Sequence, residues 1–141
     1  MKLNLELFKK VKAHILAEPK RLRQKTWVCT EGDDLFPIHV KRKRYKPPCG
    51  TAACFGGWTV LLGKKTPTPL SEIIGTAKQL LVEGPYDPVV LEARANLYLD
   101  VFYYFPESEL NGGLTPGTLR YAKAVVARAD EFIERWKGSQ S

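Results

Sequence analysis

Two adjacent glycines, Gly56 and Gly57, sit inside an apolar stretch that runs from Ala52 to Leu62 and is entered through Cys49-Gly50-Thr51. Each glycine costs a helix interior roughly 1 kcal/mol relative to alanine. The stretch does not alternate as a half-buried strand would. A chain that keeps both glycines must recover that cost, through close approach of another backbone or through room for a large ring. Thr51 is a good N-cap, Gly63 stands where a left-handed C-terminal residue belongs, and the segment between them is apolar nearly all round. The sequence therefore predicts a central, buried helix starting near Thr51. Trp27, Trp58 and the aromatic run Phe102, Tyr103, Tyr104 and Phe105 are the expected fillers of the space the glycines leave.

Other helices are expected to gather round this one. Leu5, Phe8, Val11 and Ile15 recur at three- and four-residue spacing behind Asn4, a natural cap, and Pro19 stops the run. Lys9, Lys10 and Lys12 fall between the apolar positions and should face water. Thr68-Pro69, Asp87-Pro88 and Thr115-Pro116 each look like a cap followed by a first-turn proline. The apolar sets behind them are Leu70, Ile73, Ile74, Ala77, Leu80 and Leu81, then Val90, Leu91, Ala95 and Leu97. The last is the clearest: Leu119, Ala122, Val125, Val126, Ala129, Phe132, Ile133 and Trp136. Between the last two, Asp100 is expected to cap a short aromatic turn from Val101 to Phe105. Weak alternation in Phe36-Pro37-Ile38-His39-Val40 leaves room for a short strand near 35–40. The expectation is an all-α, single compact domain of five or six helices over residues 1–137, with a frayed tail at 138–141.

A chain of 141 residues with 44% hydrophobic content suits one domain with a real core. No apolar run reaches the ~18 residues of a membrane span, and the first residues lack the apolar segment of a signal peptide. A cytoplasmic protein is expected, not one of the membrane, and its three cysteines, an odd number, fit a reducing compartment. The net charge of +7 is unevenly spread. Up to Lys65 there are fifteen lysines and arginines against five acids; beyond it there are seven against ten. A basic half beside an acidic one points to an anionic partner, nucleic acid first and an acidic protein surface second.

Three sets of residues are candidates for chemistry. Cys49, Gly50 and Thr51 precede the expected helix start, where unpaired N–H groups could hold a phosphate or carboxylate and lower a thiol pKa. Cys54, one turn on, would share that effect. Cys29, His39, Cys49 and Cys54 make an allowed zinc set, but the tight Cys-x-x-Cys spacing of a knuckle is absent. A cysteine nucleophile would need a base, and His14 and His39 are the histidines on offer; neither completes a triad. No cofactor is expected. The run Lys41-Arg42-Lys43-Arg44-Tyr45-Lys46 has the composition of a phosphate-backbone binder, with Tyr45 able to stack on a base. Lys20, Arg21, Arg23 and Lys25 would extend it if the fold brings the two together.

The run from Cys49 to Trp58 resembles the CGT-x-x-C-x-(A/G)-G-W signature of a family of short bacterial and phage proteins. Fainter likenesses follow in Ala93 to Leu99, where Tyr98 replaces a glycine, in Tyr104-Phe105-Pro106, and in Phe132-Ile133. The resemblance implies a bacterial or phage setting and brings no activity with it. Cys29 and the 41–46 run lie outside the pattern. The sequence favours a small non-enzymatic interaction protein with a basic N-terminal half, nucleic acid being its first expected partner. The alternative is an anion-binding or thiol-dependent site at Cys49–Thr51.

Overall fold

Asn4 opens the first helix as expected: its side-chain oxygen accepts the Leu7 N–H at 3.1 Å. The computed structural model describes residues 1–25, 28–29, 35–36, 52–64, 68–69 and 72–139. Among these residues there are five α-helices: α1 (Leu5–Ala17), α2 (Phe55–Gly63), α3 (Ile73–Leu81), α4 (Pro88–Leu97) and α5 (Leu119–Trp136). A 3-10 turn, Pro19–Arg21, follows α1; a π-turn, Tyr98–Phe102, prolongs α4; a second 3-10 turn spans Glu109–Asn111, and a third, Lys137–Ser139, closes α5. Three antiparallel pairs of two-residue strands complete the described part. β1 (Lys2–Leu3) pairs with β6 (Val82–Glu83), β2 (Val28–Cys29) with β4 (Ala52–Ala53), and β3 (Leu35–Phe36) with β5 (Thr68–Pro69).

The architecture is all-α, built around α2. Every residue of α2 from Phe55 to Leu61 is buried, which is what an all-round apolar helix requires. It packs on α3, α1 and the π-turn, while α5 lies against α1 and the π-turn. Phe8 of α1 joins these layers, its ring 6.2 Å from Phe55 and 5.9 Å from Phe132. At the surface the Lys12 ammonium ties α1 to Asp130 of α5 at 2.6 Å.

Gly56 behaves as the sequence suggested. A Cβ there would stand 3.1 Å from both Ile74 Cδ1 and Phe102 Cδ2, so the missing side chain is the space into which Phe102 fits. Gly63 does not take the left-handed conformation expected of it. It is the last residue of α2, and it is small because a Cβ would come within 2.9 Å of Leu7 Cδ2.

Several element boundaries differ from the sequence reading. The central helix starts at Phe55 rather than beside Thr51, because Ala52–Ala53 is drawn into an extended pair with Val28–Cys29. Thr68-Pro69 does not open a helix: it is extended and paired with Leu35–Phe36, as the restricted backbone before proline permits. α3 starts later, at Ile73, behind Glu72, which makes no side-chain cap bond. Asp87-Pro88 does open α4, with the Asp87 carboxylate accepting the Val90 N–H at 3.0 Å. Thr115-Pro116 belongs instead to a turn completed by Gly117 at φ +86°, and Thr118 is the cap of α5, accepting the Tyr121 N–H at 3.3 Å. Asp100 does not cap a separate turn from Val101 to Phe105: it lies inside the π-turn Tyr98–Phe102, where the helix widens without stopping. Leu5, Leu91 and Leu119 are exposed, and Leu7, Ala93 and Tyr121 hold the core in their place. The expected strand near 35–40 is present at Leu35–Phe36; positions 37–40 lie outside the described residues. So do Trp27 and Leu70, and Gln140 and Ser141 of the tail.

Two helical glycines should respond in opposite ways to alanine. Gly75 of α3 has nothing within 4 Å of the added Cβ, so Gly75→Ala should stabilise by about 0.5–1 kcal/mol in urea denaturation. Gly56→Ala should lose stability despite the same helix-forming gain, since overpacking against both Ile74 and Phe102 costs about 1–3 kcal/mol.

Candidate functional site

The segment 20–25 passes along the entrance to α2: Lys20 and Arg21 belong to the 3-10 turn, and from Leu22 onward alternation decides what faces in and what faces out. Leu22 bridges to Ala53, and the Arg23 N–H donates to the Ala53 carbonyl at 2.9 Å. Leu22 and Gln24 are thereby turned inward and fully buried, while Lys20, Arg23 and Lys25 are exposed.

Gln24, only 2% exposed, spends its whole carboxamide on backbone groups. Its Oε1 accepts the Phe55 N–H at 2.8 Å, one of the donors a helix start leaves unpaired. Its Nε2 donates to the carbonyl of Val101 in the π-turn at 2.7 Å and to that of Tyr104 just beyond it at 2.9 Å. The Gln24 N–H donates to the Tyr121 hydroxyl at 3.0 Å, and that hydroxyl donates to Glu107 Oε1 at 2.9 Å. Burial, reinforced by the Glu107 carboxylate, holds the Tyr121 phenol well above its usual pKa, so it stays protonated and keeps donating.

Cys54 is the N-cap of α2. Its Sγ accepts the Gly57 N–H at 3.3 Å, and the side chain is 1% exposed. The expectation that the helix start would lower this thiol's pKa is reversed. Desolvation outweighs the bonds from Gly57 and Gly56 and pushes the thiol up to about 11. Trp58, one turn into the helix, donates its indole N–H to the Arg21 carbonyl at 2.9 Å and so fastens the 3-10 turn. The His14 ring lies 4.2 Å from the Trp58 ring, and burial lowers the His14 pKa. His14 serves as a packing partner of the indole, with its Nε2 buried and without a hydrogen bond among the described residues.

Of the sequence candidates, Cys49, Gly50 and Thr51 lie outside the described residues, as do Lys41, Arg42, Lys43, Arg44, Tyr45, Lys46 and His39. The helix whose free N–H groups were expected to serve Cys49–Thr51 begins at Phe55, and the Phe55 and Gly57 donors are taken by Gln24 and Cys54. Register places the Cys29 backbone opposite Ala52, two residues before Cys54. Among the described residues no group of His, Cys, Asp or Glu is arranged to hold a metal, and no helix is long and apolar enough to cross a membrane. What the fold does assemble is the outward row of Lys20, Arg23 and Lys25. Arg21 beside them is partly occupied by Glu18 at 2.9 Å, whereas Lys20 and Arg23 make no ion pair among the described residues.

Sequence reasoning missed Gln24, Tyr121 and Glu107. The first two left a trace. Gln24 holds the second inward position of a period-two run among four bases, and Tyr121 falls four residues before Val125 on the core face of α5.

Gln24→Leu should cost about 2–4 kcal/mol in chemical denaturation, because it strands the buried Phe55 N–H and two carbonyls at once. In native protein treated with iodoacetamide, peptide mapping should find Cys54 unmodified at neutral and mildly alkaline pH. Modification should rise only as the pH approaches 11 or as denaturant opens the core.

Compared with protein-family models, with curated proteins and with solved structures, the chain matches none.

Proposed function

We propose that the protein is a non-enzymatic binding module that holds nucleic acid through its basic N-terminal half. The observation that carries this reading is the anchoring of segment 20–25. A flexible basic run binds anions at the cost of ordering itself. Here Leu22 and Gln24 are buried and the backbone is tied to Ala53 and Trp58, so Lys20, Arg23 and Lys25 are presented at fixed positions. Alternation after Leu22 turns Arg23 and Lys25 outward, and the 3-10 turn leaves Lys20 exposed beside them, a set of charges suited to a phosphate backbone. The net charge of +7, concentrated before Lys65, supports the same partner. The run Lys41 to Lys46 would add to the row.

The buried position of Cys54 favours binding over thiol chemistry at that residue. A cytoplasmic, bacterial or phage setting accords with the motif at 49–58.

The test is fluorescence anisotropy with labelled DNA and RNA across a salt series. Affinity should fall steeply as salt rises, and the combined Lys20→Gln, Arg23→Gln, Lys25→Gln variant should flatten the log–log slope by about 2–3 units. Absence of binding at low salt, or an unchanged slope in the variant, overturns the reading.

A further inference from the structure

The π-turn has a surface consequence that the basic row alone does not explain. Its defining bond is the Tyr103 N–H to the Tyr98 carbonyl, at 2.8 Å and five residues apart. In an α-helix those positions would lie about 140° apart round the axis. The wider turn brings the two tyrosine rings into contact, tilted by 37° with centroids 5.6 Å apart. Phe105 continues the row, 4.9 Å from Tyr103. Tyr103 is 56% exposed, and its two neighbours are half-buried.

Both ends of this row carry a cation. The Lys78 ammonium sits 5.5 Å over Tyr98, and the Lys25 ammonium 5.6 Å over Phe105. Lys25 is also the last member of the outward basic row, so aromatic and basic surfaces are continuous. The acids nearest in sequence are directed elsewhere: Asp100 faces Arg135 at 3.9 Å, and Glu107 receives the Tyr121 hydroxyl. π-turns recur at functional sites.

We infer that Tyr98, Tyr103 and Phe105, bracketed by Lys78 and Lys25, form a stacking platform for the bases of single-stranded nucleic acid. The inference rests on the nucleic-acid reading above and narrows it. Aromatic faces accept any base, and flanking lysines take the phosphates between them, which together give sequence-tolerant binding of single strands. A duplex keeps its base faces stacked inside and can use only the lysines.

The test uses the full chain with a labelled single-stranded oligonucleotide, the matching duplex, and an abasic sugar-phosphate oligomer of equal length. The single strand should bind more tightly than either of the others at the same salt concentration. Tyr103→Ala should weaken single-strand binding by at least about fivefold while leaving the salt slope intact, and Tyr103→Phe should restore it. Circular dichroism checks that both variants fold, and the abasic comparison needs no variant at all. If the abasic oligomer or the duplex binds the native protein as well as the single strand does, or a folded Tyr103→Ala binds as native, the platform is overturned while a salt-dependent basic row survives. If native protein binds no nucleic acid but binds an acidic protein, both readings fall.

Discussion

The carboxamide of Gln24 is the point on which the described fold turns. It joins three pieces of chain distant in sequence: the segment after the first 3-10 turn, the start of α2, and the exit of the π-turn. Each of these bonds contributes only about 1 kcal/mol net, since water would satisfy the same groups in the unfolded chain. Their weight lies in the alternative. Two carbonyls and a helix-start N–H come together away from bulk water, and one planar carboxamide supplies the donor pair and the acceptor that they need. Such a network specifies which packing is native more than it adds to stability.

The motif of the central helix is intelligible around this point. Cys54 supplies a cap that is also a core side chain, which a hydroxyl or carboxylate would do less readily in so apolar a place. Gly56 makes way for Phe102, and Phe102 belongs to the π-turn whose carbonyl end Gln24 holds. Trp58 reaches the Arg21 carbonyl, three residues before Gln24. Thus Cys54, Gly56 and Trp58 act on one seam, where segment 20–25, α2 and the π-turn meet. Their small or polar atoms face inward, and this part of the motif serves assembly.

The same seam organises the outer surface. Burying Leu22 and Gln24 turns Arg23 and Lys25 outward, and widening the helix at Tyr98–Phe102 brings Tyr98 and Tyr103 together next to Phe105, over which the Lys25 ammonium lies. Core satisfaction and surface presentation are two consequences of one backbone path. The basic row and the aromatic row accordingly meet at Lys25.

The helices were legible because apolar residues recur at a period that only a helix can bury on one face, and this held for α1, α2 and α5 in nearly all their core positions. Asn4 and Asp87 were legible as caps because a cap needs only its own local geometry. Thr51, Thr68 and Thr115 had the same local chemistry and did not open their helices, since pairing of β4 and β5 with distant strands, and a glycine turn before Thr118, claimed the backbone first. Candidate residues at 39, 41–46 and 49–51 rest on composition and lie outside the described part. The sequence by itself determined the helical class, the buried character of α2 and the uneven charge, because period and composition act over short range. Tertiary structure alone decided the Gln24 network, the raised Cys54 thiol and the joining of tyrosines to lysines. Each depends on which distant groups are brought together and cut off from water, a condition no stretch of chain carries within itself.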